Sequence, residues 1–153
     1  MFEFQNIGRI HGQDIDLVLE KTIPENYEED RVPTYDFSIF LSGTDVKVGG
    51  ISLRVGFNEN IYYGGHIGYR IDEDFHGHYY AAKACMLLRD LAVSHGMCEL
   101  TITCDPANIA SKKTCSYIGA EMIETINVPE YYDIFAKGEK QKCRYVWRLC
   151  SDL

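Results

Sequence analysis

No stretch of this chain approaches the roughly 18 consecutive apolar residues that a membrane-crossing helix needs, so no membrane span is expected. A surplus of positive charge is also missing. Lys and Arg number 15 against 23 Asp and Glu, a formal net charge of −8. Binding a phosphate backbone needs a basic face, so nucleic acid is excluded as a partner class. The acidic balance favours cationic partners such as amines as a field effect, and it equally serves solubility. Proline is scarce, with 4 residues, and no repeat or low-complexity tract suggests a linker. At 153 residues a single domain spanning 1–153 with its own core is expected. The opening Met1-Phe2-Glu3-Phe4-Gln5 lacks the basic and apolar regions of a secretory leader, so a cytoplasmic protein is expected.

The six cysteines, Cys85, Cys98, Cys104, Cys115, Cys143 and Cys150, contain no Cys-x-x-Cys pair. Most fall on faces that should be buried, where a free cysteine behaves as a small apolar residue. Reduced core thiols are therefore expected. His76-Gly77-His78 sets two imidazoles near Cys85, but no further ligands follow at metal-site spacing, and no metal is expected.

What the chain does have is alternation. Ile15, Leu17 and Leu19 alternate with Asp16, Val18 and Glu20, which reads as a first strand or hairpin over 8–21. Residues 23–33 are polar, hold two prolines and read as a loop, with at most a helical turn after Pro24. Strands follow over 35–41 (core Phe37 and Ile39), 46–55 and 64–71, with a loop over 57–63. In the fourth strand Ile67, Tyr69 and Ile71 share one face, and His66, Gly68 and Arg70 the other. The apolar residues Tyr80, Ala81, Ala84, Cys85, Leu87, Leu88, Leu91 and Ala92 keep helical spacing, ending at His95-Gly96. A fifth strand covers 98–104, with Leu100, Ile102 and Cys104 inward. Asn108 suits the N-cap of a helix through Ile118, closed by Gly119. Strands over 122–128 and 141–150 flank a loop over 129–139. The strand–helix–strand unit 69–104 calls for a parallel pair joined by a right-handed crossover, and so for an α/β sandwich with a mixed sheet.

The unit 69–96 runs strand, tight turn, helix, with Gly77 just before the helix. A glycine there lets the backbone approach a ligand, and the first N–H groups of a helix are free donors for an anion. This points to a pyrophosphate site; an ordinary strand–turn–helix unit gives the same pattern.

His76-Gly77-His78-Tyr79-Tyr80-Ala81 resembles the coenzyme A signature of GNAT-superfamily acyltransferases, Arg/Gln-x-x-Gly-x-Gly/Ala. Gly77, Tyr80 and Ala81 fit, while His76 replaces Arg or Gln and Tyr79 replaces Gly. Asn108-x-x-Ser111, with Gly119 eleven residues on, resembles the family's Asn-x-x-Ala/Ser…Gly-Phe helix, with Ala120 in the Phe place. The resemblance covers roughly 48–128.

The resemblance implies a mixed, mostly antiparallel sheet of about seven strands, with strands four and five splayed apart and helices packed on it. It implies acetyl-CoA as co-substrate. Tyr69, Arg70 and Ile71 would meet the pantetheine and the thioester carbonyl. His76, Gly77, His78, Tyr79, Tyr80 and Ala81 would take the pyrophosphate, and Asn108 and Ser111 the pantetheine. The function implied is N-acetyl transfer to the amine of a small molecule or a protein; the alternative is a non-catalytic acyl-CoA-binding or regulatory module. Where many members carry a tyrosine acid, seven residues after the asparagine, this chain has Cys115, a candidate proton donor by that resemblance and equally a core cysteine. Where some carry a glutamate base, it has Thr103. By elimination His66, whose side chain titrates near neutrality, is the candidate base, provided a bulge at Gly64-Gly65 or Gly68 turns it into the cleft. The segment 23–33 has no room for the family's two acceptor-shaping helices. An open acceptor pocket, or one completed by a second copy in a homodimer, is expected, and the acceptor itself has no signature.

Overall fold

The computed structural model describes residues 2–150. Two strands open it, β1 (Arg9–Ile10) and β2 (Ile15–Ile23), followed by β3 (Thr34–Leu41), β4 (Lys47–Arg54), a short helix α1 (Glu59–Gly64) and β5 (Ile67–Ile71). A 3-10 turn at Glu73–Phe75 leads to α2 (Tyr80–Ser94), then β6 (Glu99–Cys104), α3 (Ile109–Ile118), β7 (Glu121–Asn127), α4 (Asp133–Ala136) and β8 (Gln141–Arg148). Strands β1 to β5 form one antiparallel sheet in chain order, and β6, β8 and β7 form a second in that order. The first-strand region is thus a hairpin, Arg9 facing Val18, which brings the strand number to eight. No helix among the described residues is long and apolar enough to cross a membrane.

The core lies between α2 and the first sheet and runs on under α3 into the second. Ala82, Cys85 and Leu88 on one face of α2 are buried with Leu17, Phe37, Ile39, Ile51 and Leu53. Of these, Cys85, Leu88, Leu17, Phe37 and Ile39 are positions that the helical and strand periods pick out; Ala82 is not. α3 begins and ends as its residues dictate: the Asn108 side chain accepts the Ser111 N–H at 3.0 Å, and Gly119 closes the helix in the left-handed conformation.

Four features depart from the sequence reading. Residues 57–63 hold a helix rather than a loop, because Asn58 caps it by accepting the Ile61 N–H at 3.0 Å. Only Ile61 of that helix is buried, too little to leave a period in the sequence. A helical turn also forms within 129–139. Asp16, placed by alternation among outward polar residues, is fully buried. It accepts from Arg9 Nε at 2.8 Å and from the Gly12 and Gly43 N–H groups at 2.9 and 3.0 Å. Burial alone would raise its pKa; the two N–H donors and the guanidinium hold it well below the carboxylate range. Lastly, the cysteines are not all reduced: Cys98 and Cys150 form a disulfide. The Leu149 N–H donates to the Cys98 carbonyl at 2.8 Å, which lays the end of β8 beside the start of β6 and leaves the two Cα atoms 4.9 Å apart. Cys85, Cys104, Cys115 and Cys143 are free and buried.

The expected parallel pair does not form: β5 and β6 share no strand ladder, and every ladder among the described residues is antiparallel. The two sheets touch where the His66 N–H donates to the Thr101 carbonyl at 2.7 Å, just before β5. Gly65 makes that approach possible: its φ is 81°, and a Cβ there would stand 3.0 Å from the Thr101 oxygen. Beyond this point the strands part, giving the splay between the expected fourth and fifth strands, here β5 and β6.

Candidate functional site

Past the parting point, the outer edge of β5 has no neighbouring strand. On its inner edge the His66 carbonyl accepts from Arg54 N–H at 2.7 Å and the Asp72 N–H donates to Val48 at 2.8 Å. Alternation in an antiparallel ladder then sends the backbone groups of Ile67, Tyr69 and Ile71 toward the open side, and those of Gly68 and Arg70 to β4. Tyr69 and Ile71 therefore offer main-chain groups to an extended ligand as expected. Arg70 does not; its side chain lies at the cleft and pairs with Asp72.

A cavity of about 660 Å³ opens along this edge. Its far wall is the turn 76–81 and the start of α2; its roof is the start of α3. All eleven residues expected to bind the cofactor line it: Tyr69, Arg70 and Ile71 from β5, His76, Gly77, His78, Tyr79, Tyr80 and Ala81 from the turn, and Asn108 and Ser111 from α3. Phe75, Ile109, Ala110, Lys113 and Thr114 complete the lining and were missed. Lys113 and Thr114 follow from helical spacing, since Lys113 stands four residues after Ile109, and Thr114 four after Ala110 and three after Ser111.

The turn is built to expose N–H groups. Gly77 has φ 90°, with nothing within 4 Å of a Cβ placed on it, so glycine serves conformation here rather than clearance. His76 Nε2 donates to the Ile71 carbonyl at 2.7 Å, tying the turn to the end of β5. Tyr79, the N-cap of α2, sits in the left-handed region at φ 59°, which explains why the family motif has glycine there. Its ring stacks on Tyr117 at 4.8 Å. The backbone N–H groups of residues 77–81 have no acceptor among the described residues, at the N-terminus of a 15-residue helix. Free N–H groups plus the helix dipole make an anion cradle, and Lys113 lines the same cleft. A free β edge ending in such a cradle fits an extended pantetheine arm with a pyrophosphate at its end.

The two expected catalytic side chains lie elsewhere. His66 is 6% exposed. Its Nδ1 accepts the Thr101 N–H at 2.8 Å and its Nε2 bonds the Gly56 carbonyl at 2.8 Å. Since Nδ1 accepts, Nε2 carries the proton, and no lone pair remains for a substrate. Burial lowers its pKa further. No bulge turns it toward the cleft, for β4 and β5 pair without a register shift. Cys115 is fully buried behind α3, and its pKa is pushed up to about 12, chiefly by burial. Tyr69 lines the cleft, and its hydroxyl is turned inward, hydrogen-bonded to the buried Ser111 Oγ. Burial raises the Tyr69 pKa, while Ser111 opposes the shift.

A second cavity of about 640 Å³ lies beyond the turn that precedes α3. Asp105, Pro106 and Ala107 form one side, and Asn127, Glu130, Phe135 and Lys140 are among the residues of the other. Asn108 lines the first cavity and Asp105, Pro106 and Ala107 the second, so neighbouring residues of one turn border both. Among the described residues no group of three or more His, Cys, Asp and Glu is placed to hold a metal ion.

The sequence matches the family profile described as an acetyltransferase (GNAT) domain over residues 12–121. No curated protein matches it. Among solved structures, the fold superposes on RimL, a ribosomal L7/L12 alpha-N-protein acetyltransferase, in complex with coenzyme A. The TM-score is 0.67 and the identity 16%, over 94% of this chain and 99% of that one. It also superposes on the ribosomal-protein-S5-alanine acetyltransferase from Vibrio fischeri, with TM-score 0.66 and 12% identity over 92% and 96% of the two chains. An acetyltransferase from Agrobacterium tumefaciens gives TM-score 0.66 and 16% identity over 97% and 98%. Identities this low speak for the fold alone. The profile, matching most of the chain and including the free β5 edge, the 76–81 turn and α3, establishes that this chain belongs to the GNAT acetyltransferase family.

Proposed function

We propose that the protein moves an acetyl group from acetyl-CoA to the amino group of a protein or peptide, with the cleft along β5 as the donor site. The observation that carries this reading is the continuity of the β5 edge with the N–H groups of residues 77–81. Tyr69 and Ile71 hold the pantetheine arm by main-chain hydrogen bonds, and the turn and Lys113 take the phosphates. The Tyr69 or Ile71 N–H polarises the thioester carbonyl as its oxygen gains charge. Asn108 spends its side-chain oxygen on the helix cap, which leaves its amide nitrogen as a donor to the arm.

The acceptor enters from the second cavity, across the 105–108 turn. Asp105 and Glu130 line that cavity and favour an ammonium group before it loses its proton. The connection between β2 and β3 holds no helix, so the two acceptor-shaping helices that the family resemblance implies are absent there. An open acceptor side suits a chain terminus better than an enclosed small molecule. Structural neighbours named as a ribosomal L7/L12 alpha-N-protein acetyltransferase and a ribosomal-protein-S5-alanine acetyltransferase support the same choice. The amine proton passes to water, since His66 is committed to the backbone.

A thiol-release assay with acetyl-CoA tests this against peptides with free amino termini, the same peptides blocked, and small polyamines. Turnover on free termini only is expected. Turnover confined to polyamines would reverse the acceptor assignment, and coenzyme A binding with no turnover on any amine would leave a binding module.

A further inference from the structure

Coenzyme A carries its adenosine directly on the pyrophosphate, so a ligand that fills the cradle must also set down a purine ring beside the turn. Two ring pairs stand there. His78 stacks on Tyr80 at 5.1 Å, and Tyr80 leans on the core. The other pair, Tyr79 and Tyr117, bridges the turn to α3, with 4.8 Å between ring centres and 26° between planes. Tyr79 lines the cleft. The two rings are 48% and 52% exposed, so each covers one face of its partner and leaves the other face to solvent. Tyr79 is also strained. At φ 59° and ψ 28° it is one of two non-glycine residues with positive φ among the described residues. Glycine would hold this conformation freely, and a stack of two half-exposed rings buries little area to offset the difference. Strain kept at the mouth of a cleft points to a use for the ring. Lys113 stands one turn before Tyr117 on the same side of α3, lines the cleft, and has no hydrogen-bond or ion-pair partner among the described residues. We infer that the Tyr79 ring, held from behind by Tyr117, is the stacking platform for the purine base of coenzyme A, with Lys113 at the phosphates of the same nucleotide.

This rests on the acetyl-CoA reading above and adds a donor specificity to it. An aromatic face holds a base by stacking and desolvation, without a hydrogen-bond code, so it selects for the presence of a nucleotide. Tyr79 and Tyr117 therefore favour a free coenzyme A thioester over the same acyl group on a carrier protein, whose phosphopantetheine arm bears no nucleotide. The cradle and the β5 edge cannot make that distinction, because both donors present the same arm and a phosphate to them.

Calorimetry with two ligands tests this. Coenzyme A carries the nucleotide, and 4′-phosphopantetheine has the same arm but ends at one phosphate. Tyr79→Gly removes the ring while glycine keeps the conformation of the turn and its N–H groups. This variant should bind coenzyme A about tenfold more weakly than wild type and bind phosphopantetheine unchanged. Tyr79→Phe keeps the ring and should bind both ligands like wild type. Tyr117→Ala, at a positioning residue, should weaken coenzyme A binding by less and again leave phosphopantetheine alone. A purely structural role for the ring pair would move both affinities together. Equal losses for the two ligands in Tyr79→Gly, or no loss for either, overturn the proposal while the acetyl-CoA reading stands. A wild-type protein that binds neither ligand overturns both.

Discussion

His66 and Thr101 exchange hydrogen bonds at the point where the two sheets part. The His66 N–H donates to the Thr101 carbonyl at 2.7 Å, and the Thr101 N–H donates to His66 Nδ1 at 2.8 Å. One residue thus closes the apex of the cleft with its backbone and its ring together. This arrangement works only with a neutral imidazole, because a proton on Nδ1 would face the Thr101 N–H.

The first prediction concerns pH. Burial lowers the His66 pKa in the folded state, so the unfolded chain takes up the proton first. Stability from this residue is present above the unfolded pKa of about 6.5 and is lost as pH falls from there through the folded value. Unfolding free energy should decline below pH 6.5, with a limiting slope of about 1.4 kcal/mol per pH unit from this group. His95, also lowered by burial, adds to the same trend. His66→Gln should flatten the decline and lower stability at pH 7.5. Denaturant unfolding at pH 5.5, 6.5 and 7.5 checks both. A variant with the wild-type slope would remove His66 from the account.

The lining of the β5 cleft was legible in the sequence because its signals are local. Gly77, the helical period from Tyr80, and Asn108 with Gly119 each report a conformation fixed within a few residues. The role of His66 was not legible. Its partners Gly56 and Thr101 lie 10 and 35 residues away, and nothing near His66 in sequence distinguishes a pinned ring from a base. Alternation failed at Asp16 for a related reason: Gly12, on the hairpin turn, and Gly43, after β3, fold over it. Cys98 and Cys150 carry no motif and meet only because β8 ends alongside β6. The splay itself followed from the family resemblance; in the structure it traces to Gly65, whose open conformation brings the sheets together at one point only.

Asn108 has separable tasks. Asn108→Ala should cost about 1 kcal/mol of stability through the lost cap. Asn108→Asp keeps an oxygen for the Ser111 N–H but removes the amide donor, so it should restore stability without restoring coenzyme A affinity. Thermal unfolding and calorimetry on the two variants check this. Wild-type affinity in both would leave Asn108 as a cap and nothing more.

The turn gives a paired prediction. Gly77→Val places a β-branched residue at φ 90°, a strained conformation costing about 1–2 kcal/mol, while open space around the site lets the fold survive. Relaxation of that strain should disturb the N–H groups and weaken coenzyme A binding by about tenfold. At Tyr79 the comparison is Gly against Ala, both lacking the stack on Tyr117. Tyr79→Gly should be more stable than Tyr79→Ala by about 1 kcal/mol, because alanine keeps the left-handed strain. Equal stability of these two variants would contradict the conformation at the start of α2.

The last prediction tests the Cys98–Cys150 link, which joins residues separated by 52 positions. Closing a loop of that length restricts the unfolded chain and should contribute about 2–4 kcal/mol. Cys98→Ser should therefore lower the unfolding temperature of the oxidised protein, and a reducing agent should bring wild type down to the same value. The four remaining cysteines are buried, so they should stay unreactive to a thiol reagent until the protein unfolds. The effect on acetyl transfer should be small, since neither Cys98 nor Cys150 lines either cavity. An unfolding temperature that does not respond to the reductant would show that the bond does not form in solution, and the end of β8 would then be held by its backbone bonds to Cys98 alone.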